Sequence, residues 1–168
     1  MTIEEVIAHV EIRHVLSKYV RAGDRHDIEL ANSVYWPEAH IKHAHVDAGV
    51  EYIDRAAKKH KEEALPGVAC HHITGQYIKI DDADHARVES CCFAIWPYFD
   101  ENHVEHTGAF SGRYLDKFER RNGEWRIIER LVVHDFSRAD FPGEIWPITS
   151  RFIQGTGNDQ DPSFEFFK

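Results

Sequence analysis

The chain is poor in the residues that would place it in several common classes of protein. Its 168 residues include only three cysteines, Cys70, Cys91 and Cys92. An odd number without a CxxC spacing argues against a disulfide framework or a cysteine metal knuckle. No apolar run approaches the roughly 18 residues of a membrane span, and the N-terminus lacks the apolar stretch of a signal peptide. We therefore expect a cytoplasmic protein whose cysteines are reduced.

Positive charge is scarce as well. Lys and Arg number 20 against 29 Asp and Glu, which gives a formal net charge of -9 with thirteen histidines counted neutral. A nucleic-acid backbone or an anionic membrane would require a basic face, so we expect neither as a partner. Hydrophobic residues make up 42% and aromatic residues 12%, which is enough for one core and for the walls of an apolar cavity.

The first third of the chain predicts helices. Thr2 and Glu5 have the spacing of a capping box, and apolar residues recur every three or four positions from Ile3 to Val20, which indicates one buried stripe. We predict that Gly23 ends this helix. Two further helices are predicted, over Asp27–Tyr35 and Gly49–Glu63.

From Cys70 onward the sequence is typical of strands. Four segments rich in β-formers are separated by the short polar runs DDAD, DEN and RNG, and Asn122-Gly123 is a strong hairpin signal. Helices followed by antiparallel strands predict an α+β fold, with the N-terminal helices on one face of a strongly curved, mostly antiparallel sheet. We assign residues 1–137 to this domain. Residues 138–168 form an aromatic-rich segment that we expect to cover a pocket or contact another subunit.

The last strand predicts an oligomer. Both of its faces are largely apolar, but only one can meet the helices. The apolar side chains of the outer face would then be exposed to solvent in a monomer. We expect a homodimer or homotrimer formed through the outer face of the sheet.

Three stretches of sequence, in order, resemble a known superfamily. They are Tyr19-x4-Asp24 near the end of the first helix, CHHITGQ at the first long strand, and GRYLDKFERRNGEWRIIER in the last hairpin. Together they resemble the nuclear transport factor 2-like superfamily, in its SnoaL-like branch, over roughly residues 5 to 137. The hairpin is the most specific part, and it marks the fold rather than a reaction. The resemblance implies a cone-shaped α+β barrel.

Three cofactor-free lyases of that superfamily are similar at the candidate catalytic positions: scytalone dehydratase, bile-acid 7α-dehydratase and hexachlorocyclohexane dehydrochlorinase. The resemblance implies Asp24 and His72 as an Asp–His pair and Arg130 as the arginine of the dehydrochlorinase. Tyr19 matches a tyrosine of the bile-acid dehydratase. The second carboxylate of that dehydratase has no counterpart in FAIWPYF.

This set of side chains suits proton chemistry. A carboxylate that accepts from Nδ1 of histidine leaves Nε2 as a base and stabilises the imidazolium. Tyr19 would protonate a departing hydroxyl, and the permanent charge of Arg130 would hold an oxyanion. Each residue also has a structural alternative. Asp24 is equally suited to a helix cap, Tyr19 to the core, and Arg130 to an ion pair with Glu89 or Asp116.

The choice between His71 and its neighbour depends on strand parity. His72 shares parity with Ile78 and Ile80 and is therefore the residue we predict to face inward. A bulge at Gly75 would reverse the assignment.

Aromatic and histidine side chains are predicted to line the cavity and bind a small hydrophobic substrate. They are Tyr35, Trp36, Trp96, Tyr98, His106, Phe110, His134 and Phe136. His43 and His45 lie two residues apart, but two ligands do not make a metal site. We expect neither a metal nor a cofactor.

The leading hypothesis is a cofactor-independent lyase with a dehydratase-like elimination from a hydroxylated aromatic or polycyclic compound. An isomerase, cyclase or epoxide hydrolase on the same scaffold is the second hypothesis. The third is a non-catalytic scaffold, like the small subunit of ring-hydroxylating dioxygenases.

Overall fold

Two helices precede a six-stranded sheet. The computed structural model describes residues 1–43, 46–53, 55, 58, 68–139 and 159–160. The helices are α1 (Ile3–Arg25) and α2 (Ile28–Val34). The strands are β1 (Tyr35–His43), β2 (Val46–Ala48), β3 (Cys70–Ile80), β4 (His85–Phe99), β5 (Glu105–Arg121) and β6 (Glu124–Ala139). The α+β class predicted from the sequence is confirmed.

The sheet is mixed and does not close on itself. Its strand order is β2-β1-β6-β5-β4-β3, and every pairing is antiparallel except β1 with β6. The parallel pairing arises because the chain enters β1 directly from α2, whereas the later strands follow one another through short turns. Asn122 and Gly123 both have positive φ, 52° and 83°, as the predicted two-residue hairpin requires.

The start of α1 follows local sequence rules. The Thr2 side chain accepts from the backbone N–H of Glu5 while the Glu5 side chain accepts from that of Thr2, which confirms the capping box. The end of α1 differs from the prediction: the helix continues through Gly23, and His26 takes the left-handed cap position with φ 52°. Asp24 therefore lies in the last helical turn and not beyond it.

The core lies between α1 and one face of the sheet. Ile12 and Leu16 of α1, together with Phe118 and Ile127 of the sheet, are at most 1% exposed. This packing anchors the middle of α1 and fixes where its last turn meets the sheet. The predicted third helix falls mostly outside the described residues, although residues 51–53, 55 and 58 are helical. No helix in the described part of the chain is long and apolar enough to cross a membrane.

The other face of the sheet carries apolar side chains in contact with water. Phe93, Leu131 and Tyr77 are 39%, 37% and 71% exposed. A groove of about 390 Å³ runs across this face and includes Tyr77 and Leu131, with Lys117 and Glu129 of opposite charge beside them. A surface that has an apolar centre and charges of both signs suits a second copy of itself.

We propose that a second copy covers this groove in a homodimer or homotrimer. Light scattering coupled to size-exclusion chromatography should give a dimer or trimer mass, and Leu131→Glu should shift it to a monomer because a buried, unpaired carboxylate is costly. Ile3→Glu, at an exposed apolar position on α1, is the matched control and should keep the mass. A monomeric wild-type protein at micromolar concentration would contradict the proposal.

Candidate active site

A carboxylate from α1 and a histidine from β3 meet beneath the sheet. The Nδ1 atom of His71 lies 2.5 Å from Oδ1 of Asp24. The backbone N–H of His71 also donates to both carboxylate oxygens of Asp24, at 3.2 and 3.1 Å. Asp24 is buried at 9% exposure. Since a carboxylate only accepts, Nδ1 carries the proton, which leaves Nε2 as the ring nitrogen that can act as a base.

The contact has a topological cause. Among the described strands, β3 lies at the edge of the sheet and pairs with β4 alone, so backbone N–H groups on its free side need other partners. The last turn of α1 brings Asp24 to that side, where its carboxylate satisfies the N–H of His71. The same bonds fix the imidazole against the helix end. The contact therefore satisfies a backbone N–H at the sheet edge and also forms an Asp–His side-chain pair.

The prediction that His72 pairs with Asp24 was wrong. β3 shifts register between Thr74 and Tyr77, around Gly75 with φ 55°. The extra residue reverses the alternation. His71 faces inward together with Ile78, although the two differ in parity, and His72 is exposed.

A cavity of about 370 Å³ opens beside this pair, and His71 lines it. Tyr19, Tyr35, Trp96 and Phe110, all predicted to act at the site, lie in its wall. Their roles in binding or catalysis stay predictions. Sequence reasoning missed four further lining residues with polar or aromatic side chains: His26, Asp27, Tyr52 and Tyr114. His43, considered above as one of a histidine pair, also lines the cavity.

Only one of the missed residues carried a usable signal. Tyr114 lies four residues after Phe110 on β5 and therefore shares its face. His26 enters the wall through an unforeseen helix cap. His43 stacks on Tyr52 with ring centroids 5.9 Å apart, a contact between segments that the sequence pattern does not relate.

Arg130 lies at the cavity but is paired inside the protein. Its Nε and Nη2 donate to the two oxygens of Asp116, both at 2.7 Å. Nη1 donates to the hydroxyl of Tyr35 at 3.0 Å. Arg130 and Asp116 are 1% and 2% exposed. Arg130 therefore forms the ion pair with Asp116 that was the structural alternative to its expected role of holding an oxyanion.

A second bulge explains the neighbours of Arg130. β6 shifts register so that Lys117 faces Glu129 while Phe118 faces Ile127, which leaves Ile128 as the extra residue. Ile127 is fully buried and Ile128 is not. Simple alternation from Arg130 would place Ile128 on the inward face, and the bulge puts Ile127 there instead.

Aromatic rings surround the buried guanidinium. The Arg130 Cζ atom lies 4.0 Å from the ring centroid of Tyr19 and 4.3 Å from that of Tyr114, within the range of cation–π attraction. The Tyr19 hydroxyl donates to that of Tyr114 at 3.4 Å. Burial raises the pKa values of the Tyr35 and Tyr114 hydroxyls, so both stay protonated at neutral pH.

Trp36 does not reach the cavity. Its indole N–H donates to the backbone oxygen of Glu119 at 3.1 Å. The guanidinium carbons of Arg121 and Arg126 each lie 4.7 Å from its ring. The tryptophan thus packs in a surface cluster of charges, because β1 turns it away from the face that carries Tyr35.

Tyr98 and His106 stack on each other, with ring centroids 5.4 Å apart, and His106 contacts Asp100 at 3.2 Å. They lie toward the β4–β5 turn, beyond the cavity wall formed by the described residues. This position corrects the expectation that they line the cavity.

His134 and Phe136 are both exposed. The ring of His134 lies 5.7 Å from that of Phe110. The register places Gly112 opposite His134 but Ser111 opposite Phe136. This third bulge sends Phe136 to the outer face, so the expectation that it binds substrate in the cavity is corrected.

A metal site is not formed by the described residues: among them, no group of three or more His, Cys, Asp or Glu side chains is arranged to hold an ion. His40 pairs with Asp47 on the surface. His45, the second member of the His43 pair, lies outside the described residues.

Comparisons with known proteins agree with this fold. A family model described as a SnoaL-like domain matches residues 4–131, and the chain belongs to this family. A putative scytalone dehydratase from Novosphingobium aromaticivorans is 17% identical with a TM-score of 0.71, covering 87% of this chain and 94% of the other. No match was found among curated proteins.

Two hexachlorocyclohexane dehydrochlorinase structures are also similar. The type 2 enzyme is 14% identical with a TM-score of 0.75, covering 87% of this chain and 97% of the other. The type 3 enzyme from Novosphingobium barchaimii is 14% identical with a TM-score of 0.73, covering 86% and 97%. At such identities the likeness shows the fold alone.

The buried ion pair yields a stability prediction. Asp116→Asn removes the charge that compensates Arg130, and breaking a buried pair in this way should lower the free energy of unfolding by about 3–5 kcal/mol. Urea denaturation followed by circular dichroism measures it. Asp84→Asn is the control, since its pair with Arg120 is solvent-exposed and should contribute less than about 1 kcal/mol. Equal effects of the two substitutions would contradict the assignment.

Proposed function

We propose that this protein is a lyase that eliminates water or another small group from a small hydrophobic, hydroxylated compound, aromatic or polycyclic in character. The observation that carries the proposal is the 2.5 Å contact between Asp24 and His71 at the wall of an aromatic cavity. The similar structures named as a dehydratase and as dehydrochlorinases support the same class of reaction.

The Asp24–His71 pair would act as the general base. Nε2 of His71 takes a proton from a substrate carbon, and the carboxylate stabilises the imidazolium that forms. Because Asp24 accepts three hydrogen bonds from His71, it holds both the tautomer and the orientation of the ring. A general base of this kind contributes roughly 10²–10⁴ to the rate.

The leaving group would depart toward the tyrosines. Tyr19 lies in the cavity wall, and its hydroxyl meets that of Tyr114 at 3.4 Å. We assign Tyr19 the role of donating a proton to a departing hydroxyl. The hydrogen bond to Tyr114 is long and therefore weak, so Tyr19 can give it up and donate to the substrate at low cost.

The size and walls of the cavity set the substrate class. About 370 Å³ accommodates a compound of one or a few rings. Trp96 and Phe110 offer flat apolar surface, and the polar side chains in the wall are those of the tyrosines, the histidines, Asp27 and Arg130. Proton transfer by the dyad requires no electron carrier, so we propose catalysis without flavin, nicotinamide or metal.

The test compares three variants on a panel of hydroxylated aromatic and polycyclic compounds, with loss of water followed by mass spectrometry. His71→Gln and Asp24→Asn should lower kcat/KM by roughly 10²–10⁴, and EDTA should leave the wild-type rate unchanged. His72→Gln is the matched control, because the side chain of His72 is exposed and next to His71 in the sequence. Its kcat/KM should stay within about twofold of wild type.

Reactions in heavy water distinguish elimination from its rivals. Elimination gives a product that has lost water, isomerisation gives one of unchanged formula with deuterium at carbon, and hydrolysis gives one that has gained water. Turnover that persists in His71→Gln would overturn the assignment of the base. Absence of turnover across the panel together with copurification of an iron-containing subunit would favour a scaffold.

A further inference from the structure

The hydroxyl of Tyr35 accepts a hydrogen bond but donates none to a residue that the structure describes. Its oxygen accepts from Nη1 of Arg130 at 3.0 Å, and a phenol that accepts one bond still has its own O–H to donate. No acceptor for that proton occurs among the residues that the structure describes. Tyr35 is only 3% exposed and lies in the cavity wall, so water from the bulk cannot freely supply one.

The arginine behind Tyr35 is poorly placed to bind a ligand directly. Three of its N–H groups are engaged, two by Asp116 and one by Tyr35. The rings of Tyr19 and Tyr114 crowd the guanidinium at 4.0 and 4.3 Å. Because Asp116 also neutralises its charge, the pair adds little net potential to the cavity. What the pair does provide is a polarised, fixed Tyr35.

We propose that the Tyr35 hydroxyl is the hydrogen-bond donor for a ligand oxygen in this cavity, and that Arg130 positions and polarises it. The ligand oxygen belongs to a conjugated oxyanion, a phenolate or an enolate. An O–H donor whose oxygen accepts from a guanidinium is a stronger donor, since successive hydrogen bonds polarise one another. A delocalised anion loses less hydration energy in an aromatic cavity than a compact one.

The tyrosines beside the guanidinium do not offer an equivalent donor. The Tyr19 hydroxyl donates to Tyr114. The Tyr114 hydroxyl accepts from Tyr19 and from the Cys92 thiol at 3.3 Å, so its own proton is also available. Among the described residues, however, no cation donates a hydrogen bond to either oxygen to polarise it. Burial raises the pKa of Tyr35, which keeps its hydroxyl neutral and able to donate. This inference rests on the proposed function, because it concerns the same cavity, and it adds the group that binds a ligand oxygen there.

The test uses para-nitrophenol in its ionised form and para-nitrotoluene, two probes of similar shape that differ in the acceptor oxygen. Isothermal titration calorimetry should show that wild-type protein prefers the phenolate by roughly 10- to 100-fold, the range for a hydrogen bond to a charged group. Tyr35→Phe should remove this preference while leaving the affinity for para-nitrotoluene within about twofold, which also shows that the cavity is intact. Tyr98→Phe, a position beyond the cavity wall, is the matched control and should keep it.

A second measurement needs only the wild-type protein. The absorbance of para-nitrophenol reports its ionisation, and the bound phenol should ionise at a lower pH than the free one. The proposal is overturned if the wild type shows no phenolate preference, if Tyr35→Phe retains it, if Tyr98→Phe removes it, or if the bound phenol ionises at an unchanged or higher pH. The His71→Gln turnover assay fails or succeeds separately, because phenolate binding involves no catalytic step.

Discussion

The contact between Asp24 and His71 joins the two halves of the architecture. One partner closes the N-terminal helix and the other opens the edge strand of the sheet, and the carboxylate accepts from both the backbone and the ring of the histidine. The packing of Ile12 and Leu16 against the sheet fixes the helix, so the carboxylate arrives at a defined place. An edge N–H that would otherwise be unpaired is satisfied by the same group that orients a base.

The site contains two charged pairs with different surroundings and therefore different uses. The side chains of His71 and Asp24 are 25% and 12% exposed, and a partly exposed imidazole is able to take up and release a proton. Arg130 and Asp116 are sealed from water, with side-chain exposures of 1% and 0%. A pair so buried cannot change charge at ordinary pH without a large cost, so it serves as a rigid support.

This division changes how the arginine contributes to the chemistry. A solvent-facing Arg130 would attract any anion, whereas one paired with Asp116 acts mainly through the group that it touches. Tyr35 is that group, and its neutral hydroxyl would recognise an oxygen acceptor by direction and distance. Selectivity then depends on hydrogen-bond geometry in an aromatic cavity and less on net charge.

The local sequence determined a large part of this protein. The capping box, the first helix, the Asn122-Gly123 hairpin and the order of helices before strands follow from short-range rules, and they define the α+β class. The predicted buried stripe holds only for the later part of that helix, since Ile3, Val6, Ile7 and Val10 are 42–72% exposed. Asp24 and four of the cavity aromatics, Tyr19, Tyr35, Trp96 and Phe110, were also recognisable as candidates. Tertiary structure decided the partners: His71 instead of His72, Asp116 as the partner of Arg130, and Phe136 on the outer face. The physical reason is the β-bulge, since one extra residue in a strand reverses every side chain beyond it, and its position is set by pairing with a distant strand.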